Sequence, residues 1–196
     1  MNSIIRERVK IQGRILDLGG GDRPSYRLLL ESQVTEWVTA DIVPDNKPTV
    51  LCNLEQPLPF EDSEFDAVIA FNLLEHIYNH QPLIGEMYRI LKPGGNCEVM
   101  VPFLINIHGD PHDYFRYTES SLNKLFKHAG FAKIDVIPLG GIFQSAFQII
   151  HPLFKGKILN TIGGTCAIGL DNVLKNLKKS NFENRWVLMY YLTAKK

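Results

Sequence analysis

A run of three glycines near the start of the chain is the first place where residue types and spacing indicate chemistry. The stretch "RILDLGGGDRPS", Arg14 to Ser25, passes from an apolar, strand-like segment through Gly19–Gly21 toward a helix. Glycines turn tightly and let a ligand approach the backbone, because they have no Cβ. Asp22 can cap the helix and Pro24 suits its first turn. The glycines therefore predict free amide groups facing a ligand, or else an ordinary strand-to-helix turn.

Asp41 and Asn53 extend this pattern toward a nucleoside. Asp41 lies 20 residues after Gly21 (41 − 21 = 20), about the spacing at which a carboxylate binds ribose hydroxyls. Asn53 ends the next strand-like run, and its side-chain oxygen could accept from the exocyclic amino group of an adenine. In the alternative interpretation, Asp41 only begins a turn with Pro44 and Asp45.

The same residues argue against two other nucleotide sites. In the dinucleotide fingerprint a third glycine lets the backbone approach a pyrophosphate, but Pro24 stands at that position here. The chain also lacks the Gly-Lys-Ser/Thr of a phosphate-binding P-loop. NAD and nucleoside triphosphates are therefore disfavoured.

The elements that must position these residues alternate between strand-like and helical runs. This alternation predicts an α/β fold with a mostly parallel sheet, helices on both faces and an antiparallel pair at one end. Ligands of such a sheet bind at the carboxyl ends of its strands. The strand-like runs are Arg14–Leu18, Glu36–Ala40, Thr49–Cys52, Phe65–Phe71, Cys97–Val101, Phe131–Pro138 and Trp186–Thr193, and the helical runs are Ser25–Gln33, Leu73–Leu91 (with a break near Pro82) and Thr118–Ala129.

Composition excludes several classes of protein. The 196 residues carry 21 basic and 21 acidic side chains, so no overall field attracts nucleic acid, and none is expected as a partner. Three widely spaced cysteines favour a reducing, cytoplasmic compartment over a disulfide framework or a zinc cluster. No signal peptide and no transmembrane run of about 18 apolar residues is predicted.

Four stretches carry a resemblance to a known family. "ILDLGGGDRPS", "VTADI", "LCNLEQPLPFEDSEFDAVIAFNLLEHI" and "EMYRILKPGGNCEVMVP" follow one another between Ile15 and Pro102. In this order and spacing the chain resembles class I S-adenosylmethionine-dependent methyltransferases of the small-molecule branch called methyltransferase type 11. The resemblance implies a Rossmann-like sheet of seven strands with an antiparallel last strand. It also implies S-adenosyl-L-methionine as the cofactor.

The resemblance assigns the cofactor residues position by position. Asp17 and the three glycines would shape the pocket for the methionine part, Asp41 would hold the ribose, and Ile42 would pack on the adenine. Asn53 stands where many relatives have Asp, and an amide oxygen also accepts a hydrogen bond. The full set of implied cofactor residues is Asp17, Gly19, Gly20, Gly21, Asp41, Ile42, Asn53, Leu54, Phe71 and Asn72.

The stretch "PFLINIHGDPHDYFRYT", Pro102 to Thr118, concentrates polar and aromatic residues after the fifth strand. Methyl transfer needs an acceptor held in line, plus a base where the acceptor is a hydroxyl. We expect His108 or His112 to be that base, with Asp110 or Asp113 orienting it. The residues expected to bind a polar or anionic acceptor are His76, Tyr114, Arg116 and Tyr117.

Other interpretations of this stretch stay open. Asp113 and Arg116 could form an ion pair while the tyrosines only pack, which would be a structural role. His108, Asp110, His112 and Asp113 could also bind a metal, but their spacing matches no ordinary site, so we expect none. Glu75 and His76, in "LLEHI", could cap and pack a helix instead of lining an acceptor pocket.

The sequence as a whole predicts one methyltransferase domain over 1–196, with a helical insertion over 140–183. The expected reaction is O- or N-methylation of a small-molecule or glycan-type acceptor. The alternatives are a catalytically silent nucleoside-binding or regulatory domain on this fold, and an NAD-dependent reductase. The insertion could be a packed helical cap, a dimer surface, or a peripheral membrane contact through 142–157 for a lipid-linked acceptor. A monomer or a homodimer fits these patterns.

Overall fold

The computed structural model describes residues 2–21, 26–109, 112–153, 156–177 and 186–196. Asp22, Pro24 and Asp110, and residues 178–183 of the predicted insertion, lie outside these ranges. The strands are β1 (Gly13–Leu18), β2 (Val34–Asp41), β3 (Val50–Leu51), β4 (Phe65–Phe71), β5 (Leu91–Pro102), β6 (Ile134–Leu139) and β7 (Met189–Lys195). The α-helices are α1 (Asn2–Arg8), α2 (Arg27–Leu30), α3 (His80–Ile90), α4 (Glu119–His128), α5 (Ile142–Ile150) and α6 (Lys157–Leu177).

The strands form one mixed sheet in the order β3-β2-β1-β4-β5-β7-β6. The strand pairs β3–β2, β2–β1, β1–β4 and β4–β5 are parallel, whereas β7 is antiparallel to both β5 and β6. The order reverses between β1 and β4, and in an open α/β sheet that reversal creates a crevice at the carboxyl ends of the strands. The predicted Rossmann-like fold with an antiparallel last strand is therefore confirmed.

Side chains of alternate residues along the strands build a core on each face of the sheet. One core holds Leu16 and Val68 with the buried side of α3 and α4, including Met87 and Phe126. The other holds Ile15 and Ile69 with Ile5 of α1, Val9 just after it and Leu30 of α2. The central strands are thus covered on both sides, which explains why they are continuous apolar runs in the sequence.

Two elements differ most from the sequence prediction, whereas the other strand ends shift by three residues or fewer. The helix predicted over 73–91 is a 3-10 helix, Leu74–His76, followed by α3. Pro82 does not break α3, because it lies in the first turn, where a backbone N–H has no helical partner. β5 begins at Leu91, six residues early, because Leu91 pairs with Phe65 before the chain bulges and Asn96 pairs with Ala67.

The predicted insertion contains α5 and α6, which contact each other. Asp171 of α6 accepts hydrogen bonds from the backbone N–H groups of Phe143 (2.9 Å) and Gln144 (3.0 Å), so α6 caps the start of α5. A Cβ on Gly141 would overlap the Asp171 carboxyl group. Both helices lie within the range 140–183 that the sequence predicts for the insertion. None of the described helices is long and apolar enough to cross a membrane.

Candidate active site

A cavity of about 320 Å³ opens at the carboxyl ends of β1, β2 and β4. Its walls combine residues of the strand ends with residues of the stretch after β5. The lining residues are Gly19, Asp41, Ile42, Val43, Asn46, Asn53, Leu54, Glu55, Asn72, Leu73, His76, Ile77, His112 and Tyr114. Six of the residues predicted for the cofactor, two of those predicted for the acceptor and one of the two predicted bases therefore share one cavity.

The glycine turn leaves β1 at the base of this cavity. Gly19 has φ +73° and donates its N–H to the carbonyl of Ala40 (2.8 Å), which holds the turn against the end of β2. Gly21 has φ +61°, a conformation that residues with a Cβ rarely adopt. Gly20 has an ordinary φ but no room for a Cβ, because Asp17 lies against it.

Asp17 supports the turn from inside the sheet and does not line the cavity. Its side chain is fully buried and accepts hydrogen bonds from the Tyr26 hydroxyl (2.9 Å) and from Trp37 Nε1 (3.3 Å). Burial raises the pKa of Asp17 to about 7, although these two hydrogen bonds oppose the rise. Trp37 and Tyr26 were not predicted, because nothing local in the sequence directs their side chains to Asp17.

Asp41 ends β2 with its carboxylate in the cavity wall. One oxygen accepts from the backbone N–H of Val43 (2.9 Å) and the other from Asn46 Nδ2 (2.8 Å). Asp41 thus begins a turn, which continues into the 3-10 helix Pro44–Asn46. Each oxygen still has a free lone pair, so the turn does not prevent the carboxylate from binding hydroxyl groups. Ile42 beside it is 54% exposed and offers an apolar surface.

Asn53 and Asn72 bring two amide side chains to the same cavity. Asn53 Oδ1 accepts from the backbone N–H of Glu55 (2.9 Å). Asn72 has φ +51° and donates its N–H to the carbonyl of Met100 (2.9 Å), which turns the chain sharply at the end of β4. Leu54 is buried in the cavity wall, whereas Phe71 packs edge-on against Tyr26 and does not line the cavity.

Asp113 and Arg116 form a two-pronged ion pair inside the stretch after β5. The Arg116 guanidinium donates to both Asp113 oxygens, with 2.7 Å between Nη2 and Oδ2, and also to the backbone carbonyls of Phe115 and Ile105. The pair lowers the pKa of Asp113 to about 2. Asp113 also accepts from the backbone N–H of His108 (2.9 Å). The pair therefore links the part of this stretch around residues 105–108 to the part around residues 113–116.

Tyr114 and Tyr117 lie in different surroundings. Tyr114 lines the cavity, and its backbone N–H donates to the carbonyl of Glu75 (2.8 Å). Tyr117 is buried, and its hydroxyl donates to the carbonyl of Leu74 (2.9 Å). Tyr117 faces a second cavity of about 730 Å³ between α3 and α4, which contains none of the strand-end residues.

The two predicted bases also separate. His112 lines the cavity beside Tyr114, with 5.5 Å between the ring centroids. His108 does not line it, and its ring lies 5.2 Å from that of His76. His76 does line the cavity, and its Nδ1 contacts the carbonyl of His112. Glu75, next in the chain to His76, is fully buried, and burial raises its pKa.

Three polar residues near the site were not among the predicted site residues. Asn46 and Glu55 line the cavity, and Glu75 lies behind His76. Asn46 follows Asp41 across a proline turn, and Glu55 follows Asn53 by two residues. Their closeness in sequence to a predicted site residue could have identified both. Glu75 was interpreted as a possible helix cap, and a capping role does not predict that its carboxylate is buried.

Comparison with known proteins identifies the family of this chain. Residues 6–136, about two thirds of the chain, match a family described as "Methyltransferase domain". The chain is 32% identical over 104 residues to "Ubiquinone/menaquinone biosynthesis C-methyltransferase UbiE" of Desulfotalea psychrophila, a match covering 50% of this chain and 41% of that protein. It is 36% identical over 72 residues to "Demethylmenaquinone methyltransferase" of Anoxybacillus flavithermus, covering 35% of this chain and 30% of that protein. The chain thus spans less than half the length of these relatives.

Solved structures share the fold at low sequence identity. A SAM-dependent methyltransferase from Archaeoglobus fulgidus aligns with a TM-score of 0.65 at 18% identity, covering 100% of this chain and 95% of that one. The [4+2]-cyclase SpnF aligns equally well, with a TM-score of 0.65 at 19% identity, covering 100% of this chain and 80% of that one. The fold alone therefore does not determine the reaction. The matched residues, however, contain the glycine turn, Asp41, Asn53 and Asn72, and the chain belongs to the methyltransferase domain family.

Proposed function

We propose that this chain binds S-adenosyl-L-methionine in the strand-edge cavity and transfers its methyl group to the oxygen or nitrogen of a small-molecule or glycan-type acceptor. The observation that carries the proposal is the single cavity in which Gly19, Asp41, Asn53 and Asn72 meet His112 and the other acceptor-side residues. Family membership supports the same reaction class.

The residues of the cavity fit this cofactor. The Asp41 oxygens each keep a lone pair for a ribose hydroxyl, and the bare Gly19 lets a ligand reach the backbone. Ile42 and Leu54 offer apolar surface for an adenine, and Asn53 offers an amide at its edge. When bound, the cofactor supplies a methyl group that its sulfonium already activates. The protein then has to orient the acceptor and remove a proton from it.

On the acceptor side we assign two kinds of role. His76, His112 and Tyr114 line the cavity and would contact the acceptor, with His112 as the general base. Asp113 and Arg116 would position the stretch that carries these residues, since the guanidinium donors are engaged within it. Tyr117, which donates to the Leu74 carbonyl, would act in the same way. His108 does not line the cavity and lies beside Glu75, with 4.0 Å between Nε2 and Oε1.

A second candidate acceptor comes from the relatives. Two proteins at 32% and 36% identity are named for C-methylation in quinone biosynthesis and for demethylmenaquinone. A quinone precursor would present a ring carbon as the nucleophile. The apolar side chains in the cavity wall, Leu54, Leu73 and Ile77, would suit such a ring.

We also propose that residues 1–196 form one domain, with 140–183 as a helical insertion. β7 follows the insertion in sequence yet pairs with both β5 and β6, so the chain returns to the sheet it left. The thiols of Cys52, Cys97 and Cys166 are free, which is in keeping with a cytoplasmic, reducing compartment.

Calorimetric titration of the purified protein with S-adenosylmethionine, and in parallel with NADH, tests the cofactor. We expect binding of the former alone. Methyl transfer from labelled cofactor is then measured with sugars, lipid-linked glycans and a demethylated quinone. Binding of cofactor without turnover on any acceptor would favour the silent-domain alternative, and binding of neither would contradict the proposal.

A further inference from the structure

Three side chains with metal-binding chemistry converge behind the wall of the cavity. Glu75 and His76 come from the 3-10 helix after β4, and His108 comes from the stretch after β5. The ligand atoms they can offer all lie within 4.8 Å of one another. His76 Nε2 is 3.8 Å and His108 Nε2 is 4.0 Å from Oε1 of Glu75. The separations are too long for direct hydrogen bonds but leave room for an ion between the three.

The hydrogen bonds of the two imidazoles determine which nitrogen atoms carry protons. Nδ1 of His76 contacts the backbone carbonyl of His112, and Nδ1 of His108 lies 3.0 Å from the backbone carbonyl of Asn106. A carbonyl only accepts, so each Nδ1 is the protonated nitrogen. In the neutral rings each Nε2 then carries a lone pair, and both lone pairs are on the side of Glu75.

Glu75 adds a third acceptor to the same point. Its side chain is fully buried, and neither carboxylate oxygen accepts a hydrogen bond from the described residues. The nearby donors are engaged elsewhere, since Tyr117 donates to Leu74 and Arg116 to Asp113. A buried carboxylate without a partner is costly, so three acceptors facing one another call for a cation.

We propose that Glu75, His76 and His108 bind one divalent transition-metal ion. Two imidazole nitrogens and one carboxylate form a donor set suited to Zn²⁺, Fe²⁺ or Co²⁺, whereas Mg²⁺ and Ca²⁺ prefer oxygen ligands. The carbonyls of His112 and Asn106 hold the rings in the tautomer that a metal requires. Of the metal ligands considered from the sequence, only His108 belongs to this set.

The position of the cluster suggests what the ion would do, and this step rests on the proposed function. Three protein ligands leave an open coordination position, and His76 also lines the cavity beside His112. A hydroxyl group of an acceptor could bind the ion through its oxygen, which would lower the pKa of that hydroxyl. Its O–H bond would break with the proton passing to His112. The oxygen would use the freed electron pair to bond the methyl carbon, while the methyl–sulfur bond of the cofactor would break and leave its electron pair on the sulfur.

Metal binding is tested on untagged full-length protein that has been stripped with a chelator. The protein is titrated with Co²⁺ and followed by visible absorption, and with Zn²⁺ by calorimetry. We expect one saturable site. Glu75→Gln and His108→Ala should each weaken binding at least about tenfold. The matched control is His151→Ala, an imidazole that follows α5 and should leave binding unchanged.

Two features keep the test decisive. The His108 side chain is 44% exposed, so His108→Ala should fold even if Glu75→Gln does not. S-adenosylmethionine binding is measured separately with the chelator present. If the protein binds the metal but not S-adenosylmethionine, that result contradicts the proposed function and leaves the metal proposal standing. Absence of a saturable site in the unaltered protein, or binding by both variants as tight as that of the unaltered protein, would overturn the metal proposal and leave a shared proton as the missing cation.

Discussion

The carboxyl group of Asp17 lies so close to Gly20 that a Cβ on residue 20 would overlap its carbon and both of its oxygens. Asp17 is buried between the sheet and the glycine turn, where Tyr26 and Trp37 hold it in place. The turn therefore rests on a side chain that cannot move aside. This contact, rather than an unusual backbone angle, makes glycine necessary at position 20.

Gly20→Ala should displace the glycine turn and weaken S-adenosylmethionine binding at least about tenfold, with a loss of about 1–3 kcal/mol in the free energy of unfolding. Calorimetry and urea denaturation measure the two effects. Gly85→Ala is the matched control, because a Cβ at that site in α3 meets nothing within 4 Å. It should raise stability by about 0.5–1 kcal/mol. Normal cofactor affinity in Gly20→Ala would contradict the placement of the cofactor at this turn.

Asp41→Ala should weaken S-adenosylmethionine binding about 10- to 100-fold, because it removes a charged acceptor for the ribose hydroxyls. It also removes the acceptor for Val43 and Asn46, so the turn itself could loosen. Asn46→Ala separates the two effects, since it keeps the carboxylate and loses one turn hydrogen bond. Calorimetry should show a much smaller loss in Asn46→Ala. Equal losses would assign Asp41 to the turn alone.

His112→Ala should leave S-adenosylmethionine binding unchanged and slow methyl transfer about 10²- to 10⁴-fold on a hydroxyl acceptor, as expected for loss of a general base. Single-turnover rates and calorimetry on the same preparation measure the two quantities. His128→Ala, at the end of α4, is the control and should behave like the unaltered protein. Unchanged turnover in His112→Ala would move the base elsewhere, to His76 or to the proposed metal site.

Stability should fall as the pH rises from 5 to 8. Burial raises the pKa values of Asp17 and Glu98 to about 7, from ordinary values of 3.8 and 4.5. The folded state therefore holds protons that the unfolded state has released in this interval, and each carboxyl group contributes a slope of at most about 1.4 kcal/mol per pH unit. Asp17→Asn and Glu98→Gln should each flatten the slope of urea-unfolding free energy against pH.

The control for this pH effect is Asp135→Asn, on the exposed side of β6. That variant should keep the slope of the unaltered protein. A slope that stays undiminished in the double variant Asp17→Asn/Glu98→Gln would show that other groups, such as Glu75, cause the pH dependence.

Arg116→Lys should destabilise the stretch after β5 by about 1–3 kcal/mol, although it keeps the charge. A lysine ammonium cannot make the two-pronged contact with Asp113 and also reach the carbonyls of Phe115 and Ile105. Urea denaturation measures the loss, and a double-mutant cycle with Asp113→Asn measures the coupling. Arg27→Lys, whose ion pair with Glu31 is exposed, should cost less than about 0.5 kcal/mol.

The sequence by itself determined the sheet and the places where its strands end. β4 has the bounds that the sequence predicts, because the buried run from Phe65 to Phe71 is closed by polar residues on both sides. Gly19, Asp41, Asn53 and Asn72 lie within two residues of strand ends, so topology alone brings them together once the strands are parallel. The local sequence pattern was enough to predict that these residues lie at one edge of the sheet, because the direction of the strands, and not of any side chain, brings them there.

Only the tertiary structure decided what each polar side chain contacts. Arg116 binds Asp113 rather than facing the cavity, and Tyr117 donates to a carbonyl 43 residues away. The local sequence around Glu75 is that of a residue at the start of a helix, where a carboxylate would act as a cap. In the structure its carboxylate is buried, and the imidazole of His108, 33 positions later, lies beside it. Such contacts join segments that are distant in sequence, so they depend on how the whole sheet packs, and no local spacing encodes them.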